Sequence, residues 1–168
     1  MATSADLLTD VVGRISEHVR DVADVLSEAQ LAYRHDGRAN SIAWLVWHQA
    51  RVMDDHVADA ARIQQVWTAQ DWVSRFDLPL EPADTGYGHT SEQVAKVRAG
   101  AELLTGYADA ATEAMTDYVR GLSDSDLDRV VDENWDPPVT LAVRLVSVLD
   151  DCVQHLGQAA FARGLLPE

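Results

Sequence analysis

A single cysteine, Cys152, in 168 residues excludes an internal disulfide and any multi-cysteine zinc or iron–sulfur centre, and it points to a reducing, cytoplasmic compartment. Basic residues are scarce. Thirteen Lys and Arg stand against 28 Asp and Glu, a net charge of −15 at pH 7, so the surface repels phosphate backbones and anionic headgroups, and no nucleic-acid partner is expected. Long apolar runs are missing too. The longest, Ile42 to Trp47, is far too short to cross a bilayer, and the start Met-Ala-Thr-Ser-Ala-Asp carries neither the basic nor the apolar part of a signal peptide. The expectation is a chain with no membrane partner that stays where it is made. What is present, 47% hydrophobic and 24% charged residues, suits one domain over residues 1–168 with a core of its own.

Apolar residues at Leu8, Val11, Ile15, Val19, Val22, Leu26 and Ala29 follow a three-then-four spacing, which predicts a first helix from Ser4 to about Tyr33. Turn chemistry over His35 to Asn40 leads to a second, capped by Asn40 or Ser41 and ending near Thr68, with a short helical turn over Asp71 to Arg75. Residues Phe76 to His89 hold two prolines and two glycines and predict an irregular connection. Thr90 with Gln93 makes a capping-box pair that opens a third helix, stopped by Gly121. Thr140 opens a fourth that ends at Gly164, after the extended-looking stretch Val130 to Trp135. No strand pattern is convincing. Four amphipathic helices predict an all-α four-helix bundle, with the first two helices as antiparallel neighbours. The long connection between the second and third can span the bundle end to end, which allows the order up, down, down, up.

Polar residues stand on faces that should be apolar. At about 100° per residue, His48 falls on the edge of the apolar sector of helix two, and His56 and Gln49 fall inside it. On helix four His155 is inside the sector and Asp151 at its rim. A carboxylate on a core edge is costly unless a cation, a metal or several donors meet it. Asp151 and His155, four apart, share one helical face and can grip one ion together. In the up, down, down, up order, His48 and His155 each lie roughly 10–12 Å from the same end of the bundle, so the three side chains can converge. Two imidazoles and a carboxylate leave coordination positions open, the pattern of a catalytic divalent-metal site, with zinc first and nickel or iron(II) as alternatives. Pattern alone leaves a second reading open, a cluster of core-edge histidines hydrogen-bonded to Asp151.

The stretch Asn40-Ser41-Ile42-Ala43-Trp44-Leu45-Val46-Trp47-His48, followed by Ala50-Arg51, resembles the DinB-like (YfiT-like) superfamily of metal-dependent enzymes. So do His155-Leu156-Gly157-Gln158 and Arg163-Gly164-Leu165. The actinobacterial branch related to mycothiol-dependent enzymes is the most similar, judged also by Asp54-Asp55-His56-Val57, Gln65-Val66-Trp67-Thr68, Thr85-Gly86-Tyr87-Gly88-His89 and Pro137-Pro138-Val139-Thr140. The resemblance implies a four-helix bundle, often a homodimer, whose metal is held at the positions of His48, Asp151 and His155. Asp151 departs from the histidine or glutamate commonest there. It further implies mycothiol or a similar thiol as co-substrate in S-transfer or isomerisation of a small molecule. A metal-dependent hydrolase on the same site, or a non-catalytic metal-binding stress-response protein, are the alternatives.

Other residues are secondary candidates. Tyr87 and His89, on the irregular connection, are candidates for a lid that touches substrate, and Trp44, Arg51 and Asp55 for substrate contacts along helix two. Trp47 and Trp135 suit either a pocket wall or core. His56 is too far along the axis to share the metal of His48 and is expected to bond to Gln49 or Asp55. Cys152 falls in the middle of the apolar sector and is expected to be packing rather than a nucleophile.

Overall fold

The computed structural model describes residues 1–167. The Thr3 hydroxyl accepts from the Asp6 N–H while Asp6 reaches back to Thr3, a reciprocal cap that starts α1 (Ser4–Ala23). This helix stops well short of Tyr33. Val25 takes a left-handed φ of 62°, and Ser27 with Gln30 forms a second capping box that begins a separate turn, α2 (Glu28–Leu31). Ser41 then caps α3 (Ile42–Ala61) through the Trp44 N–H at 3.1 Å. That helix also ends early, at Arg62 in the left-handed conformation, rather than near Thr68. The cause is tertiary. The Asp54 carboxylate takes the N–H groups of Val66 and Trp67 at 2.9 and 2.8 Å, so these residues begin α4 (Val66–Ala69), and α5 (Trp72–Phe76) follows.

The connection from Asp77 to His89 has no regular structure, as its prolines and glycines dictate. Thr90 and Gln93 form the expected capping box and start α6 (Ser91–Lys96). The third helix is nevertheless in two pieces, because Val97 turns extended before α7 (Ala101–Arg120) resumes. The stretch after it does contain strand: β1 (Val130–Asp132) pairs antiparallel with β2 (Val139–Thr140), a correction to the strand-free expectation. Thr140 accepts from the Val143 N–H and caps α8 (Leu141–Gly164). Among the described residues the chain has eight α-helices, two short 3-10 helices and one two-stranded sheet, and no helix is long and apolar enough to cross a membrane.

The four long helices pack in a definite pattern. Both α1 and α3 lie against α7 and α8, while α1 and α3 barely touch each other. The first two long helices therefore face each other across the core instead of sitting side by side, because α7 and α8 fill the places between them. Directions follow from paired contacts. Asp54 meets Tyr107 and Ala60 meets Tyr118, so α3 and α7 run the same way; Gln49 meets Cys152 and His56 meets Arg144, so α3 and α8 run opposite ways. Every residue of α3 from Ile42 to Arg51 is buried. Its outer side is closed by the irregular connection, whose Pro82, Asp84 and Thr85 carbonyls accept from Trp67, Arg51 and His48.

Candidate metal centre

His48, 5% exposed, enters the site from α3, and Asp151 and His155 come one turn apart from the antiparallel α8. Each offers one ligand atom, and these atoms lie within 4.8 Å of one another. The His48 and His155 rings meet edge to face at 4.8 Å between centroids. Both rings are oriented from behind. Nδ1 of His48 lies 2.5 Å from the Thr85 carbonyl oxygen, which only accepts, so Nδ1 carries the proton and Nε2 keeps its lone pair. Nδ1 of His155 meets Gln158 Oε1 at 3.1 Å, while Nε2 is 3.5 Å from Asp151 Oδ1. For His48 that outer hydrogen bond leaves the Nε2 lone pair free for a metal, whereas the Nε2 proton of His155 faces Asp151 and is the one a metal would displace.

The charges in the site are coupled. Burial holds the His48 pKa below the ordinary histidine range. Asp151 raises that of His155. Burial pushes the Asp151 carboxyl up, but its hydrogen bond to His155 and the nearby histidines outweigh burial and leave it below the usual carboxylate range. Its Oδ2 is buried and has no hydrogen-bond partner, an arrangement that a cation would satisfy. The donor set of two imidazole nitrogens and one carboxylate fits a divalent metal and leaves positions open.

His48 and Asp151, but not His155, line a cleft of about 550 Å³. Val52, Asp55, His56, Thr85, Tyr87, Trp135, Ser147 and Val148 line the rest of it. Tyr87 is 92% exposed and Trp135 66%, so both aromatics stand at its rim. Asp55 reaches Arg51 only through Gln65, whose Nε2 donates to it at 2.7 Å. The structure does not bring Trp44, Arg51 or His89 into the cleft lining. Trp44 is a buried wall that stacks on His48 at 4.5 Å, and it donates from Nε1 to His89 Nδ1 at 3.1 Å. Arg51 is fully buried in a network with Asp54, Gln65 and Tyr107, over the face of Trp67.

His56 lines the cleft, and its partner is Arg144 at 2.9 Å, not Gln49 or Asp55. Arg144 reaches it from the antiparallel α8, and it also pairs with Asp132 of β1 at 3.0 Å. Cys152 is buried against the Gln49 carbonyl, and burial pushes its thiol far up. Sequence reasoning missed Arg144, Gln158 and the Thr85 carbonyl. Gln158 could have been found, since it stands three residues after His155 on one helical face. The Thr85 contact is main-chain and leaves no trace in residue type.

Two imidazoles and a carboxylate, converging between antiparallel helices beside a cleft, place the chain in the class of helical proteins whose donor set fits a divalent metal. Within that class the match is specific: the mycothiol-S-transferase family matches residues 7–167, and the chain belongs to that family, within the DinB-like group. A crystal structure of a conserved protein from Enterococcus faecalis is 32% identical over 99% of this chain and 98% of its own, with a TM-score of 0.90. No curated protein matches.

Proposed function

We propose that this protein is a divalent-metal-dependent enzyme that uses a low-molecular-weight thiol of the mycothiol type for S-transfer to, or isomerisation of, a small molecule. His48, Asp151 and His155 are its metal ligands, zinc is the metal, and nickel or iron(II) are the alternatives. The carrying observation is the convergence of the three candidate ligand atoms beside the unpartnered Asp151 Oδ2, at a cleft that His48 and Asp151 line. The family match supports the thiol. The helix directions support a four-helix bundle in the order up, down, down, up, with the long connection between α5 and α6. Exposed Val143, Val146, Val153 and Phe161 on α8 support a homodimer, and the lone cysteine supports a cytoplasmic setting.

When bound, the metal supplies Lewis acidity that lowers the pKa of a thiol or water in its open position. The chain does the rest. His48 presents its Nε2 lone pair, His155 offers its Nε2 once the proton facing Asp151 is released to solvent, and Asp151 supplies the negative charge. Val52 and Val148 shed water from the cleft wall, and Tyr87 and Trp135 frame the mouth through which a small molecule enters. Because Arg144 donates to Nδ1 of His56, that ring offers an N–H donor from Nε2. Cys152 is packing.

Elemental analysis of untagged protein beside His48→Ala and His155→Ala tests the reading. About one metal per chain in the parent, lost in both variants, followed by turnover that requires added thiol, is the expected result. A parent that takes up no zinc, nickel or iron(II) overturns the metal centre. A loaded parent that hydrolyses esters or amides without thiol overturns the thiol.

A further inference from the structure

The irregular connection approaches His48 more closely than an ordinary loop contact allows. Gly86 has φ +91°, and a Cβ added there would lie 2.8 Å from His48 Nδ1 and 3.0 Å from the Trp47 ring. Only glycine fits, on both conformation and space. The turn is held by one carboxylate. Asp84 accepts from the Gly86 N–H at 2.8 Å through Oδ1, and from His89 Nε2 at 2.9 Å through both oxygens. His89 is itself fixed, because its Nδ1 accepts from Trp44 Nε1 at 3.1 Å and its ring stacks on Trp47 at 6.0 Å. From inside, Arg51 Nε donates to the Asp84 carbonyl at 3.2 Å. Between these anchors sits Thr85, whose carbonyl faces His48 Nδ1, while Trp44 covers the face of the same imidazole.

We infer that the Asp84–His89 segment is a tautomer lock for His48, with Asp84, Gly86 and His89 as positioning residues that keep Nδ1 protonated and Nε2 free for the metal. The inference rests on the metal reading above, but the lock acts on the metal-free protein too. A carbonyl oxygen accepts and never donates, so wherever it is held against Nδ1 the other nitrogen must carry the lone pair. The carbonyl stays there only while the turn is pinned on both sides. Outer partners of this kind typically set metal affinity by 10–100-fold.

Two readouts test it. The first is nitrogen-15 NMR of the His48 ring in metal-free protein at a pH where the ring is neutral. The parent is expected to show the Nδ1–H tautomer, and Gly86→Ala and Asp84→Ala a mixture with Nε2–H. The second is zinc affinity by chelator competition, expected to fall about 10–100-fold in both variants. Thr85→Ala and Tyr87→Ala are expected to change neither, since the contact is main-chain and the Tyr87 ring is exposed. Asp84→Asn, which keeps an acceptor for the Gly86 N–H, covers the case in which either larger change fails to fold; it is expected to show the same mixture to a smaller degree. An Nε2–H tautomer in the parent, or an unchanged tautomer in a folded variant, overturns the lock. A parent that binds no zinc yet shows the tautomer change removes the metal reading and leaves the lock standing.

Discussion

Arg144 of α8 donates from Nη1 to Nδ1 of His56 on α3 at 2.9 Å, and from Nη2 to Asp132 at 3.0 Å, tying the cleft wall to the small sheet beside it. That bond uses the Nδ1 lone pair, which only the neutral imidazole offers.

That neutrality gives a pH dependence. His56 titrates below its ordinary range, first because burial disfavours the imidazolium and then because Arg144 repels it; Asp55 and Asp59 on its own helix and Asp151 on α8 pull the other way and do not prevail. The unfolded chain therefore takes the proton first. Its contribution to stability is whole above about pH 6.5 and is lost as pH falls through that value toward the folded pKa. Melting temperatures of the metal-free protein should drop between about pH 7.5 and pH 5, and His56→Gln should flatten part of that drop. An identical slope in the variant would count against this account.

Asp151 should serve stability as well as binding. Its carboxyl is held below the usual range by His155 and the neighbouring histidines, so the charge is favoured in the fold at neutral pH, and Asp151→Asn is expected to melt lower than the metal-free parent. The upward shift that zinc gives the parent should vanish in the variant. Differential scanning fluorimetry with and without zinc reads both.

The Arg51–Asp54–Tyr107 network is expected to be structural. Arg51 and Asp54 are 0% and 3% exposed in their side chains, 3.6 Å apart, and the Tyr107 hydroxyl donates to Asp54 at 2.9 Å. Removing one partner strands the other's charge, so Asp54→Ala should cost about 3–5 kcal/mol in urea unfolding. Tyr107→Phe should cost about 1–2 kcal/mol, with the double variant losing less than the sum.

Cys152 should be silent. Fully buried and with its thiol pushed far up, it is expected to react with a thiol reagent only after unfolding. Cys152→Ala should keep the metal and thiol-dependent turnover. Loss of turnover with metal retained would assign it a role in the chemistry.

Helix existence and the three metal-site candidates were legible in the sequence because both rest on periodicity. His48, Asp151 and His155 stood out as polar residues on apolar edges, and their depths followed from helix rise. Helix ends were less legible. The Asp54 carboxylate that starts α4 acts from an earlier helix, and the Ser27 box competes locally with a spacing that runs on to Ala29. Arg51 misled for a different reason. A wheel treats the side opposite the core as solvent, yet on α3 that side is covered by the connection, so a guanidinium that looked available to substrate is sealed in.

One consequence of the ligands' placement concerns assembly during synthesis. His48 sits early in the chain, whereas Asp151 and His155 arrive on α8, the last of the described helices to leave the ribosome. On the proposed ligand set, a nascent chain with α1 to α7 alone would hold one ligand of three and would not capture the ion. Metal uptake would then report that α8 has docked, and a chain stalled before that point would be left unmetallated with the α8-facing side of α3 uncovered.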